Sequence, residues 1–472
     1  MLSKPLLVAS ALLLACILPS NHYTLFAQSA VDPKGDTRNN APAWTDFTKF
    51  SVVQDARSLS FTLETADTIP KQVSDSCQFQ ILLQPDIQGV PSVRSDQSTA
   101  TFLIAFDLLQ WDGSPWFATN IYSRFAKNGI PADTVRMFDW KLSGNSFRVR
   151  FSLESLGWNS LKAKARVLYK GDIADVLPDT GWVSVLLDQT GRQAMKTRSS
   201  ARTVFTYPEG FDSIITRYDV LRVVDAAYGY ELALTLTNPI GGDSIRFVFN
   251  PFFGGAAIEG DPVFLGPGMW GKNPLWFVYF HEMGHNFVNV AARFRQLYPL
   301  EKRLVPGPLP THILFYEAWA SLPAMYAYDI IDRFHSSNGI LDSVLPSVRS
   351  EWRVTRARFE KAWKIYKEKP VYNALNPDVV DGMFLELQQR FGWKVFEKFF
   401  VIMHPVAETL PLFDYRLPND TADLRTTRCT LTAAALSAAA GSDLHEQFKE
   451  WAFPIDEGLF TKAFKELGRL TH

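Results

Sequence analysis

One segment limits what this chain can fold into more than any other. It is His281-Glu282-Met283-Gly284-His285, set inside a run that is otherwise apolar. Leu275, Trp276, Phe277, Val278, Tyr279 and Phe280 precede it, and Phe287, Val288 and Val290 follow. That pattern predicts a helix buried almost all round. Asn273-Pro274 reads as its start, with Asn as cap and Pro in the first turn. Residues four apart on a helix project within about 40° of each other, so His281 and His285 face one point. Two neutral imidazoles aimed together can hold a zinc ion. Glu282 leans off that face, in reach of a proton on a metal-activated water that it can later return to a leaving amine. The commonplace alternative is a helix with two satisfied core histidines, but ionisable groups in so apolar a helix are costly unless paired or liganded. Gly284 costs about 1 kcal/mol in a helix interior relative to Ala, so a neighbour is expected to pass close there.

A zinc site of this kind needs a third protein ligand. The continuation H-E-x-x-H-x-x-G-x-x-H is excluded, because Val288 and Ala291 stand at its Gly and His positions. A carboxylate from a later helix remains. Thr311 to Ser321 reads as a second apolar helix carrying one acid, Glu317, beyond a Pro-containing loop from Leu300 to Pro310. Glu317 is the expected ligand, with His312, Glu301 and Asp329 as rivals. The plain alternative for Glu317 is a buried acid paired with an Arg.

With two histidines from H-E-x-x-H and a downstream glutamate, the chain resembles the gluzincin zinc peptidases. Phe280 to Asn289 is most similar to an uncharacterised family of secreted bacterial H-E-x-x-H proteins. Ala440-Gly441-Ser442-Asp443-Leu444, Phe448, Trp451 and Pro454-Ile455-Asp456 resemble the ending of several gluzincin domains, mucin-active ones included. Phe391-Gly392-Trp393-Lys394-Val395-Phe396 resembles the helix turn before it. The likeness covers about residues 205 to 460. It implies one Zn2+ per chain on His281, His285 and Glu317, with Glu282 as general base. Ser321 stands four after Glu317, where an Asp would orient a histidine, and that leaves the orienting group open.

The remaining composition is compatible with such an enzyme. A chain of 472 residues with 47% hydrophobic and 14% aromatic content has core enough for two or three domains. A net charge of −1 gives no electrostatic case for nucleic acid. Lys4 followed by the apolar run Pro5 to Leu18 reads as an export signal over residues 1–27, cut after Ala27, giving a secreted protein. Leu13-Leu14-Ala15-Cys16 also resembles a lipobox, which implies lipid on Cys16 and a membrane tether in place of free secretion. Cys77 and Cys429 fall in different expected domains and read as buried thiols.

Within residues 31–188 the pattern is β from about residue 40, alternating at Leu59 to Leu63 and Phe147 to Phe151 and strand-like at Phe79 to Leu83, with a turn at Ser143-Gly144-Asn145. An all-β sandwich is expected in front of the peptidase domain. Leu156-Gly157-Trp158 and Asp175 to Trp182 resemble the end of carbohydrate-binding family nine or DOMON modules, which implies glycan contact. Trp111, Trp116 and Trp158 are candidate sugar-stacking rings, with core packing as the alternative, and Asp86, Asp96 and Asp112 are candidate calcium ligands. Polar, basic residues 189–203 read as a linker.

An α+β zincin-like domain with a helical C-terminal half is expected over 204–472. Pro208 to Tyr230 reads as helical, Ser244 to Phe249 as a strand, and Val348 to Lys367 as a long amphipathic helix. Gly254, Gly255, Ala256 and Ala257 are small enough to let an extended substrate approach a strand edge. Tyr372, His404 and Tyr415 are candidate donors to a developing oxyanion. The resulting expectation is a secreted zinc metallopeptidase acting on peptides or glycoproteins. Its rival is a non-catalytic surface protein that binds glycan or protein on the same scaffold.

Overall fold

A computed structural model of the chain describes residues 26–32, 35, 37–38, 40–55, 58–70, 75, 77–87, 102–107, 116–119, 138–153, 158–170, 172–188, 194–239, 243–249, 257–258, 262–266, 273–289, 311–334, 344–409 and 422–471. The N-terminal region is built of strands: β1 (Phe26–Val31), β2 (Phe47–Asp55), β3 (Ser58–Thr65), β4 (Cys77–Ile87), β5 (Phe102–Asp107), β6 (Trp116–Thr119), β7 (Phe138–Ser143), β8 (Ser146–Ser152), β9 (Trp158–Tyr169), β10 (Asp172–Leu177) and β11 (Val183–Leu186). They form two antiparallel sheets, one ordered β1-β2-β3-β8-β7 and the other β10-β9-β4-β5-β6 with β11 also on β9. Alternation explains the packing. Phe50 and Val52, Leu59, Phe61 and Leu63, and Phe147, Val149 and Phe151 point into one core with Phe79, Ile81 and Leu83 of the facing sheet. The β7–β8 hairpin turns at Gly144, whose φ of 59° suits a residue without a Cβ.

Some details depart from the sequence reading. β1 crosses the expected cut point, because Phe26 and Ala27 pair with Gln54 and Val53. Trp158 is 2% exposed and meets Phe151 edge-on, so it is a core ring and cannot stack on a sugar. Trp111, Asp96, Asp112 and Cys16 lie outside the described residues, as does the Trp116 side chain. Asp86 accepts a hydrogen bond from Asn159 Nδ2 at 3.4 Å. Cys77 and Cys429 are both buried, in separate cores.

The C-terminal part has one mixed sheet of β12 (Met195–Ser199), β13 (Thr203–Pro208), β14 (Ile245–Phe249), β15 (Ala257–Ile258) and β16 (Val263–Leu265), ordered β12-β13-β14-β16-β15. The expected linker therefore contains strand. Lys196 and Arg198 of β12, which made it read as solvated, pair with Asp212. Phe205, Phe247, Val263 and Leu265 face the helices, while Val248 and Phe264 on the other side of the sheet join the N-terminal core.

The helices are α1 (Asp212–Arg217), α2 (Val220–Thr235), α3 (Trp276–Asn289), α4 (Thr311–Phe334), α5 (Leu345–Glu368), α6 (Pro377–Phe391), α7 (Lys394–Thr409), α8 (Ala422–Ala440), α9 (His445–Glu450) and α10 (Glu457–Gly468). The helix expected from Pro208 is split, with Asp219 at φ 46° between α1 and α2. α4 lies at the centre and packs against α2, α3, α5 and α6. Ala318, Trp319, Ala320, Leu322, Met325 and Tyr328 around its circumference are all 1% exposed or less.

Candidate metal centre

The H-E-x-x-H segment is the middle of α3. Its position on the sheet is set by aromatic packing: Tyr279 meets Phe205 and Phe247 edge-on, at centroid distances of 5.8 and 6.1 Å. Gly284 brings α3 and α4 together backbone to backbone, and a methyl there would overlap the Ala320 carbonyl oxygen. This is the close neighbour that a mid-helix glycine implied.

The start of α3 differs from expectation. The helix begins at Trp276, and Asn273 accepts a hydrogen bond from the Tyr218 hydroxyl instead of capping it. The free amides are covered from α5, where Glu351 accepts from Trp276 N and Phe277 N, each at 2.9 Å. A carboxylate at a helix N-terminus satisfies orphan donors and complements the dipole.

The α3–α4 crossing brings three ligand-type side chains together. His281, His285 and Glu317 each offer an atom lying within 4.8 Å of the other two. His281 Nε2 is 3.1 Å from Glu317 Oε2, and His285 Nε2 is 3.6 Å from the same oxygen. The two rings sit edge to face with centroids 4.7 Å apart. Burial is uneven: His285 is 1% exposed, while the Glu317 side chain keeps 34% of its surface. Burial depresses the basicity of His281, against the pull of Glu317, which favours the neutral ring a metal requires. Burial raises the Glu317 carboxyl, but the two histidines outweigh it and hold the group below its ordinary range. Glu282, one residue round the helix from His281, is 9% exposed.

On the far side of His281, Nδ1 lies 3.1 Å from Ser321 Oγ. Ser321 is one turn beyond Glu317 on α4 and also donates to the Glu317 carbonyl oxygen, at 3.1 Å. Asp381 of the packed helix α6 is 2% exposed, and burial raises its carboxyl well above the ordinary value, with the Ser321 hydroxyl near enough to oppose that rise. Neither Ser321 nor Asp381 was singled out as a functional residue from the sequence. The sequence signal available for Ser321 was its place four after Glu317; Asp381 had none.

Other candidates fall elsewhere. Asp329 accepts from Trp393 Nε1 at 2.8 Å and pairs with Arg333 at 2.8 Å, which ties α4 to its neighbours. Tyr372 lies against Phe453, and its hydroxyl accepts from Cys429 Sγ at 3.3 Å. The side chains of His312 and His404 lie outside the described residues, as do Glu301, Tyr415, Gly254, Gly255 and Ala256. Ala257 opens β15, the antiparallel edge strand of the mixed sheet, which abuts α3.

No family model matches the chain, and no curated protein matches it. Among solved structures, it aligns with the crystal structure of a functionally unknown conserved protein mutant from Bacillus anthracis str. Ames. That alignment has 11% identity and a TM-score of 0.38, covering 94% of this chain and 78% of the other. A likeness at that level carries nothing about activity.

Proposed function

We propose that this chain is an exported zinc-dependent metallopeptidase of the gluzincin type, with a zincin-like catalytic part preceded by a β-sandwich accessory module. One observation carries the reading: His281, His285 and Glu317 converge from two helices to mutual distances that one ion can span, with Glu282 next to them. The donor set fits zinc, since two imidazole nitrogens and one carboxylate oxygen make a three-ligand catalytic site. Bound there, zinc would act as a Lewis acid on a carbonyl and acidify a water molecule.

The chain's own residues account for the rest. Glu282 accepts the proton of the attacking water and delivers it to the leaving amine, which needs a carboxylate kept close to the reacting atoms. An extended peptide adds to β15, the last strand of the mixed sheet among the described residues. The N-terminal apolar run supports export, and the sequence likeness of the front module supports a glycosylated target.

The test is hydrolysis of a mixed peptide library, read by mass spectrometry, for wild type beside Glu282→Gln. Cuts made by wild type should fall by about 10²–10⁴-fold in the variant, the usual contribution of a general base. Bound zinc should be unchanged. Equal cleavage by both proteins would refute the assignment.

A further inference from the structure

We infer that Ser321 and Asp381 form a positioning relay behind His281, holding the imidazole with its proton on Nδ1 and its Nε2 lone pair free for the ion that Glu317 and His285 would share. The inference rests on the zinc reading above. An imidazole that ligates through one nitrogen carries its proton on the other, and an acceptor for that proton fixes tautomer and ring angle. His281 meets both conditions, since Nε2 faces Glu317 Oε2 at 3.1 Å and Nδ1 faces Ser321 Oγ at 3.1 Å.

A serine hydroxyl has one proton to give and two lone pairs to receive. Ser321 can thus accept from His281 Nδ1 while its remaining capacity goes to the Glu317 carbonyl oxygen and to Asp381. Asp381 comes from another helix, and its backbone is fixed by a second close crossing. At Gly382, a methyl would overlap the Phe359 carbonyl oxygen of α5. One side-chain oxygen of Asp381 has no hydrogen-bond partner among the described residues. A buried acid left partly unsatisfied is costly, and the polar side chain beside this one is the residue behind a ligand-type histidine. Helix packing alone does not require an acid there. With the hydroxyl proton given to the Glu317 carbonyl and one lone pair taken by His281 Nδ1, Asp381 donates into the remaining lone pair and fixes the hydroxyl that holds the ring.

The experiment is zinc affinity of the full chain, measured by competition with a chromophoric chelator. The absorption spectrum of the cobalt-substituted protein is recorded beside it. Ser321→Ala and Asp381→Leu should each weaken zinc binding about 10–100-fold and shift the cobalt bands, as losses behind a ligand histidine do. The double variant should be no weaker than the worse single, because the residues act in series. Asp381→Asn, which keeps a hydrogen-bonding group of the same shape, should bind within a few-fold of wild type. If Asp381→Leu folds and takes zinc as tightly as wild type, the relay is wrong while the zinc site stands. If wild type itself takes no zinc, the metal reading fails and the relay fails with it.

Discussion

Two clusters of the same residue types meet the geometric requirement for a metal among the described residues, and they contrast in almost everything else. His281, His285 and Glu317 sit on long helices that cross backbone to backbone. His445, Glu446 and Glu457 sit at the start of two short helices, with both acids exposed. In the second cluster Lys449 already pairs with Glu457 at 2.8 Å and with Glu446 at 3.4 Å. A cation arriving there would have to displace an ammonium and gather mobile carboxylates. The His445 ring is in turn stacked on Phe460, with centroids 4.6 Å apart. Ligand-type atoms within reach of each other are therefore a weak criterion, and a preorganised scaffold without a competing cation discriminates better.

The sharpest way to break this contrast is metal stoichiometry. Wild type is expected to hold one zinc per chain, His281→Ala or Glu317→Ala none at micromolar metal, and His445→Ala still one. Two equivalents in wild type, or a loss on His445→Ala, would remove the distinction. Next in size is Gly284→Ala, which forces a methyl into the Ala320 carbonyl. Overpacking of this kind costs about 3 kcal/mol or less in most cores, and here it also parts the helices that carry the ligands. A chemical denaturation midpoint and zinc affinity should both fall. Preserved zinc affinity in the variant would show that the crossing does not set the site. Smaller again is Glu351→Ala, which uncovers the first amides of α3 and should cost about 1–2 kcal/mol by the same denaturation assay. No loss of stability would mean that water replaces the carboxylate there without penalty.

What was legible in the sequence follows from how local each signal is. The α3 segment announced itself through apolar residues around two histidines four apart, and Glu317 through being the one acid in an apolar helix. The strands around Phe61 and Val149 showed a period of two, and the one around Phe79 an apolar, strand-like run. Ser321's contact with His281, the Asp381 carboxyl behind it and the Glu351 cap were not legible, because each joins residues brought together only by the fold. Asn273 shows the opposite failure. Its local pattern is that of a cap, but Tyr218 takes up its oxygen. Composition misled at residues 195–199, where charge suggested a linker and a partner acid instead makes an edge strand. Trp158 could not be assigned to a face until its strand had a partner.

The smallest expected effect sharpens the contrast between carboxylates. Glu317 is held below its ordinary range because two histidines answer its charge. Glu231 of α2 is fully buried, neither of its carboxyl oxygens has a hydrogen-bond partner among the described residues, and burial pushes its carboxyl well above the ordinary 4.5. A raised folded-state value means the folded protein keeps a proton that the unfolded chain gives up. The stability associated with Glu231 is thus fully present below about pH 4.5 and is lost as pH rises toward the folded-state value. Glu231→Gln removes that titration while keeping the shape. Its melting temperature should equal or exceed that of wild type at pH 8, with the gap narrowing toward pH 5. Parallel melting curves across that range would mean that Glu231 finds a counter-charge in solution, and that the difference between the two acids is smaller than their surroundings imply.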